Sequence, residues 1–166
     1  MVIIVLGVSG AGKSRFGSAL AAALAWRFAD GDDFHTPEAV AKMRRAQPLD
    51  DADRAPWLVQ MRLGIEGWLA RGENVVLACS ALKENYRRLL RGGDKPIEFV
   101  YLKITPRLAA ERVNRRAAST GHFMPPELLK SQFEDLEEPE QAVVIDMDKL
   151  ETTSQQIDQV QCALNI

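Results

Sequence analysis

Apolar runs recur along the chain at Val2 to Leu6, Trp26 to Ala29, Val75 to Cys79, Ile97 to Leu102 and Ala142 to Ile145. The first of them has no polar interruption, which is the pattern of a strand covered on both faces rather than one. Between the runs, apolar and polar positions alternate at helical spacing. They predict helices over Arg15 to Leu24, Pro37 to Arg45, Asp53 to Arg71, Lys83 to Arg91, Pro106 to Arg116, Pro125 to Leu136 and Thr153 to Leu164. The punctuation agrees with these elements. Asp50-Asp51-Ala52-Asp53 offers capping oxygens, Thr105-Pro106 puts proline in a first turn, and Gly72 and Gly92-Gly93 follow helix ends. Strands alternating with helices predict an α/β fold: a five-stranded parallel sheet, joined by right-handed crossovers, with helices on both faces. Ligands of such sheets bind beyond the carboxyl ends of the strands, so the loops there carry the chemistry.

The loop after the first strand reads Gly7-Val8-Ser9-Gly10-Ala11-Gly12-Lys13-Ser14, a complete G-x-x-x-x-G-K-[ST] phosphate loop between a strand and a helix. Its glycines permit backbone conformations that turn successive N–H groups of Gly7, Ser9, Gly10, Ala11 and Gly12 toward phosphate oxygens. The helix N-terminus adds its positive dipole end. Lys13 supplies a cation for the outer phosphates, and the Ser14 hydroxyl is a Mg²⁺ ligand. A P-loop domain that binds ATP with Mg²⁺ is the expectation.

Composition narrows the partners. The 166 residues carry a formal net charge of −2, which argues against a nucleic-acid binder held by phosphate neutralisation. The hydrophobic share of 46% suits one domain over residues 1–166. Cys79 and Cys162 have neither metal spacing nor a disulfide framework, and Cys79 reads as a small core residue. No apolar stretch approaches a membrane span, and Met1 runs directly into the first strand, so a cytoplasmic protein is expected.

The second loop, Asp30-Gly31-Asp32-Asp33-Phe34-His35, concentrates three carboxylates and an imidazole where a second substrate should lie. It is expected beside the phosphate loop, on the neighbouring strand. Phosphoryl transfer to an alcohol needs a carboxylate to accept the hydroxyl proton, and Asp32 is assigned that role. Asp30 is placed to reach the Mg²⁺ shell, Asp33 to face solvent, and His35 to bind a substrate hydroxyl. The competing reading is a solvated turn capping the next helix.

Two basic loops complete the acceptor site, whose binding region is expected over about residues 30–60. Asp53 and Arg54 are candidates for a polar, anionic substrate, since a guanidinium can clamp a carboxylate through two hydrogen bonds. The third strand ends at Cys79-Ser80 without the acidic residue of a Walker B motif, and Ser80, Lys83 and Arg87 read as acceptor ligands. Lys83 and Arg87, four apart, would share a helix face. Finally, Arg112, Arg115 and Arg116 close a helix, and a small polar stretch follows up to His122. This composition suggests a lid over about 113–126, with Arg112 near the adenine and Arg116 at the phosphates as a catalytic cation. These residues alone leave three classes open: a kinase of a small polar acid, another small-molecule kinase such as a shikimate or nucleotide kinase, and a non-catalytic nucleotide-binding regulator.

The ordered set G-V-S-G-A-G-K-S, D-G-D-D-F-H, Lys42-Met43, P-L-D-D-A-D-R-x-P-W-L, C-S-A-L-K-x-x-Y-R, F-V-Y-L-K and G-H-F-M-P-x-x-L-L-x-S-Q-F-x-x-L-E-x-P resembles the thermoresistant, P-loop type of gluconokinase from Gly7 to about Pro139. The resemblance implies an adenylate- and shikimate-kinase-like fold and MgATP as donor. It also implies phosphorylation of D-gluconate to 6-phosphogluconate, often by homodimers. Relative to that family, residues 117–120 read as extra residues lengthening the lid.

Overall fold

The chain enters the fold through β1 (Val2–Leu6), whose five residues are all buried. In the computed structural model, which describes residues 1–45, 47–93, 95–120, 126–149 and 151–166, the chain continues as α1 (Lys13–Leu24), β2 (Arg27–Asp30), a 3-10 turn (Gly31–Phe34), α2 (Pro37–Arg44) and α3 (Asp51–Ala70). It goes on through β3 (Val75–Ala78), α4 (Glu84–Arg91), β4 (Ile97–Lys103), α5 (Pro106–Thr120), α6 (Pro126–Asp135), β5 (Val143–Asp146) and α7 (Thr153–Leu164). The five described strands form one parallel sheet in the order β2-β3-β1-β4-β5. Successive residues of β1 point to opposite faces, so Val2, Ile4 and Leu6 join one core cluster while Ile3 and Val5 join the other. The first cluster is closed by Trp57, Leu58, Met61 and Ile65 of α3 with Tyr86 and Leu90 of α4. The second is closed by Phe16 and Leu20 of α1, Ala109 of α5, Leu129 of α6 and Val160 of α7. A strand with two apolar faces needs this double cover, which is why the first run lacks polar alternation.

Four expectations from the sequence need correction. The second strand does not neighbour the first, because β3 lies between them. Helix α3 begins two residues early, at Asp51, because the cap is Asp50: its side chain accepts from the Asp53 N–H while the Asp53 side chain accepts from the Asp50 N–H. Residues 117–120 do not lengthen a loop; they continue α5 to Thr120. Lys83 does not share a helical face with Arg87, since it is the extended N-cap residue before α4, at φ −93° and ψ 148°.

Packing at the carboxyl end of β3 is close. A Cβ placed on Gly31 would lie 2.7 Å from the Cys79 Cβ and 2.8 Å from the Ala78 carbonyl oxygen. The turn that follows β2 therefore rests directly on the end of β3. Cys79 is buried there, and burial pushes its thiol up to about 12, consistent with a small core residue.

Candidate active site

The phosphate loop spans the carboxyl end of β1 and touches both neighbouring strands. Gly7 N–H donates to the Ser80 carbonyl at 3.4 Å, so Ser80 lies against the phosphate loop. Gly10 sits at φ +82°, and a Cβ there would meet the Ala109 carbonyl oxygen of α5 at 2.6 Å. Only glycine satisfies both that backbone angle and that approach. Gly12, at φ 96° and ψ 21°, is the N-cap of α1, and Ala11 N–H donates to the Val8 carbonyl at 3.2 Å. Lys13 Nζ folds back to the Val8 carbonyl at 3.1 Å. Desolvation lowers its pKa from the usual 10.5, against the raising influence of Asp32 and Asp30 and with a lowering contribution from Arg116. Ser9 N–H donates to Gln132 Oε1 of α6 at 2.7 Å, a contact no sequence signal marked out.

Ser14 Oγ donates to Asp30 Oδ2 at 2.6 Å, which brings the two expected Mg²⁺ ligands together despite the intervening strand. A hydroxyl and a carboxylate are hard oxygen donors of the kind Mg²⁺ takes, with its remaining positions left to phosphate and water. Asp30 also accepts the Asp32 N–H at 3.1 Å, ordering the turn that carries the Asp32 carboxylate into solvent. Asp33 is exposed, as expected.

His35 is packed rather than solvated. Its ring stacks on Trp57 at 4.8 Å between centroids and 5° between planes, its Nε2 lies 4.0 Å from Asp32 Oδ1, and Nδ1 is buried with no hydrogen-bond partner. Burial lowers its pKa below the usual 6.5. Trp57 also donates its indole N–H to the Gly31 carbonyl at 2.6 Å, so α3 clamps the acidic turn from beneath. Neither role of Trp57 was apparent from the sequence, although an indole N–H in a core is a reason to look for an acceptor.

Arg54 and Lys83 meet at a cleft of about 590 Å³ lined by Pro48, Leu49, Asp50, Asp51, Ala52 and Asp135 beside them. Arg54 Nη1 donates to Asp135 Oδ2 at 2.9 Å and to the Tyr86 hydroxyl at 3.3 Å. Lys83 Nζ lies 2.8 Å from Asp51 Oδ1 and 3.6 Å from Asp135 Oδ1, and the Tyr86 hydroxyl donates to the same Asp51 oxygen. Hydrogen bonds from Lys83 and Tyr86 hold the Asp51 carboxyl below its usual 3.8. Asp53 is committed elsewhere, to the cap of α3 and to Lys42, so its expected place among substrate ligands does not hold.

Arg87 is a second correction. Its side chain is only 3% exposed and donates to the Ala81 and Leu82 carbonyls at 2.9 and 2.8 Å and to Glu84 Oε2 at 2.9 Å. It fastens the turn after β3. On the donor side, Arg112 of α5 donates to the Ala11 carbonyl at 3.4 Å and the Met147 carbonyl at 3.1 Å, bridging the phosphate loop and the segment after β5. His122 lies outside the described residues.

The chain matches the family described as AAA domain over residues 2–139. It is similar to a gluconokinase of Gluconobacter oxydans (strain 621H), 47% identical over 137 residues, which cover 82% of this chain and 75% of that protein. Among solved structures, it is similar to a gluconokinase from Sinorhizobium meliloti 1021, with 40% identity and a TM-score of 0.83, covering 99% of this chain and 91% of that one. A shikimate kinase from Aquifex aeolicus shares the fold at a TM-score of 0.58 and 15% identity, covering 99% of this chain and 96% of that one.

Proposed function

Since the chain belongs to the gluconokinase family, we propose that it transfers the γ-phosphoryl group of ATP to the terminal hydroxyl of D-gluconate, giving 6-phospho-D-gluconate. The observation that carries this reading is the placing of a phosphate loop and a cation-bearing cleft beyond the carboxyl ends of the strands, with α6 giving Gln132 to the first and Asp135 to the second. Lys13 and the loop N–H groups of Gly10 and Gly12 hold the β- and γ-phosphates, those of Gly7, Ser9 and Ala11 being engaged by Ser80, Gln132 and Val8, and Arg116 adds positive charge as charge shifts during transfer. Ser14 and Asp30 would hold Mg²⁺, which when bound neutralises the phosphate oxygens. Asp32 takes the proton of the attacking hydroxyl, and His35 and Ser80 line the route by which that hydroxyl reaches the phosphate. At the far end of the acceptor, Arg54 and Lys83 bind the carboxylate.

The same reading takes residues 1–166 as one cytoplasmic kinase domain acting as a homodimer. Its lid covers about residues 113–126, built on the extended α5, with His122 among the acceptor ligands. Among the described residues, no helix is long and apolar enough to cross a membrane. The deciding experiment is steady-state ADP formation with gluconate, related sugar acids and a neutral six-carbon polyol. Mg²⁺-dependent turnover with gluconate is expected; turnover on another acceptor and none on gluconate would overturn the assignment.

A further inference from the structure

The cleft presents two cations, and both already have carboxylate partners. Arg54 pairs with Asp135, while Lys83 pairs with Asp51 and lies within 3.6 Å of Asp135. The two carboxylates are not equivalent. Asp51 is held by Lys83 and by the Tyr86 hydroxyl, and sits in the first turn of α3. Asp135 is the last residue of α6 and places one oxygen toward each cation, Oδ2 at Arg54 and Oδ1 at Lys83. That is the arrangement the two oxygens of an incoming carboxylate would adopt.

We propose that Asp135 is a specificity-determining residue that competes with the acceptor's carboxylate for Arg54 and Lys83. The proposal rests on the assignment of an anionic acceptor to this cleft. An acid entering the site must displace Asp135 from the cations, whereas a neutral polyol brings them no replacement charge and leaves Asp135 in place. Asp135 therefore weakens acid binding and narrows the preference for acid over polyol. The side chain is 30% exposed, so once displaced it can turn toward water, and its loss from the cleft does not strand a buried charge. The same helix carries Gln132, which accepts from the phosphate-loop Ser9 N–H. A shift of Asp135 on acid binding would thus be felt one helical turn away, at the donor loop.

The test compares wild type with Asp135→Asn, which keeps shape and removes charge, using gluconate and a neutral six-carbon polyol as acceptors. Asp135→Ser serves as a second variant, and thermal melting confirms that both are folded. Asp135→Asn is expected to lower KM for gluconate about three- to tenfold while leaving kcat, KM for ATP and KM for the polyol unchanged. Asp135→Glu, which restores the charge, should return KM for gluconate toward the wild-type value. An unchanged or raised KM for gluconate in folded Asp135→Asn and Asp135→Ser, with the wild type active, would overturn the inference alone. An equal fall in KM for the polyol would do the same. Absence of gluconate turnover in the wild type would overturn the functional assignment beneath it.

Discussion

Ser14 Oγ and Asp30 Oδ2 lie 2.6 Å apart, although β3 separates β1, which leads into the phosphate loop, from β2, which Asp30 ends. Helix α1, which begins at the end of the phosphate loop, brings the hydroxyl to β2. If this pair holds Mg²⁺, Asp30→Asn should raise the Mg²⁺ concentration needed for half-maximal rate by about tenfold, since one anionic oxygen is lost. KM for gluconate should stay within about twofold. A Mg²⁺ titration at saturating ATP decides it, and an unshifted curve would remove Asp30 from the metal shell.

Asp32 is ordered by its own N–H on Asp30 while its carboxylate faces solvent, free to meet a substrate hydroxyl. Asp32→Asn preserves size but accepts no proton, so kcat should fall about 10²–10⁴-fold with KM for ATP little changed. A rise in KM for ATP with near-normal kcat would instead put Asp32 on the nucleotide side.

Arg54 and Arg87 should fail in different ways. Arg54→Ala should raise KM for gluconate at least about tenfold, because a charge-assisted hydrogen bond is worth roughly 1.5–3 kcal/mol. Arg87→Ala strips three hydrogen bonds from a buried turn and should cost about 3 kcal/mol of stability, seen in urea melts. Normal stability with a raised KM in Arg87→Ala would return that residue to the substrate.

His35 gives the fold a pH dependence. Burial lowers its pKa from 6.5, so the unfolded chain binds the proton more readily than the folded one. The stability held above pH 6.5 is lost as pH falls through that value toward the lower, folded-state pKa. His35→Gln should flatten the fall in Tm between about pH 7.5 and pH 5. Parallel Tm profiles for the two proteins would assign the acid sensitivity elsewhere.

The parts legible in the sequence were those written in consecutive residues. Gly7 to Ser14 encodes a phosphate loop locally, and Asp30 to His35 encodes a polar turn, so both could be assigned chemistry before their positions were known. Asp135 could not, because it reaches Arg54 across 81 residues of chain and carries no local pattern, and Gln132, although inside the S-Q-F motif, reaches Ser9 across 123 residues that no motif links. Arg87 misled because arginine most often lies in solvent, whereas here it turns inward to satisfy two carbonyls. The sequence pattern ends this helix at Arg116, because Ser119 and Thr120 have loop character; α5 instead continues through them, with the strong helix formers Ala117 and Ala118 between. Strand order lay beyond reach for another reason: hydrophobic period tells which residues are buried in a sheet, not which strand lies beside which.

The contact of Gly31 with Cys79 and the Ala78 carbonyl leaves no room for a side chain between the acidic turn and β3. Backbone therefore sets how closely the acidic turn rests on β3, and no side chain can be inserted there without moving a strand. Adaptation to a new acceptor has its freedom elsewhere, in the wide mouth formed by Leu49, Ala52 and Asp135. Descendants of this chain could change which molecule they phosphorylate while keeping the turn that carries Asp32 seated on β3.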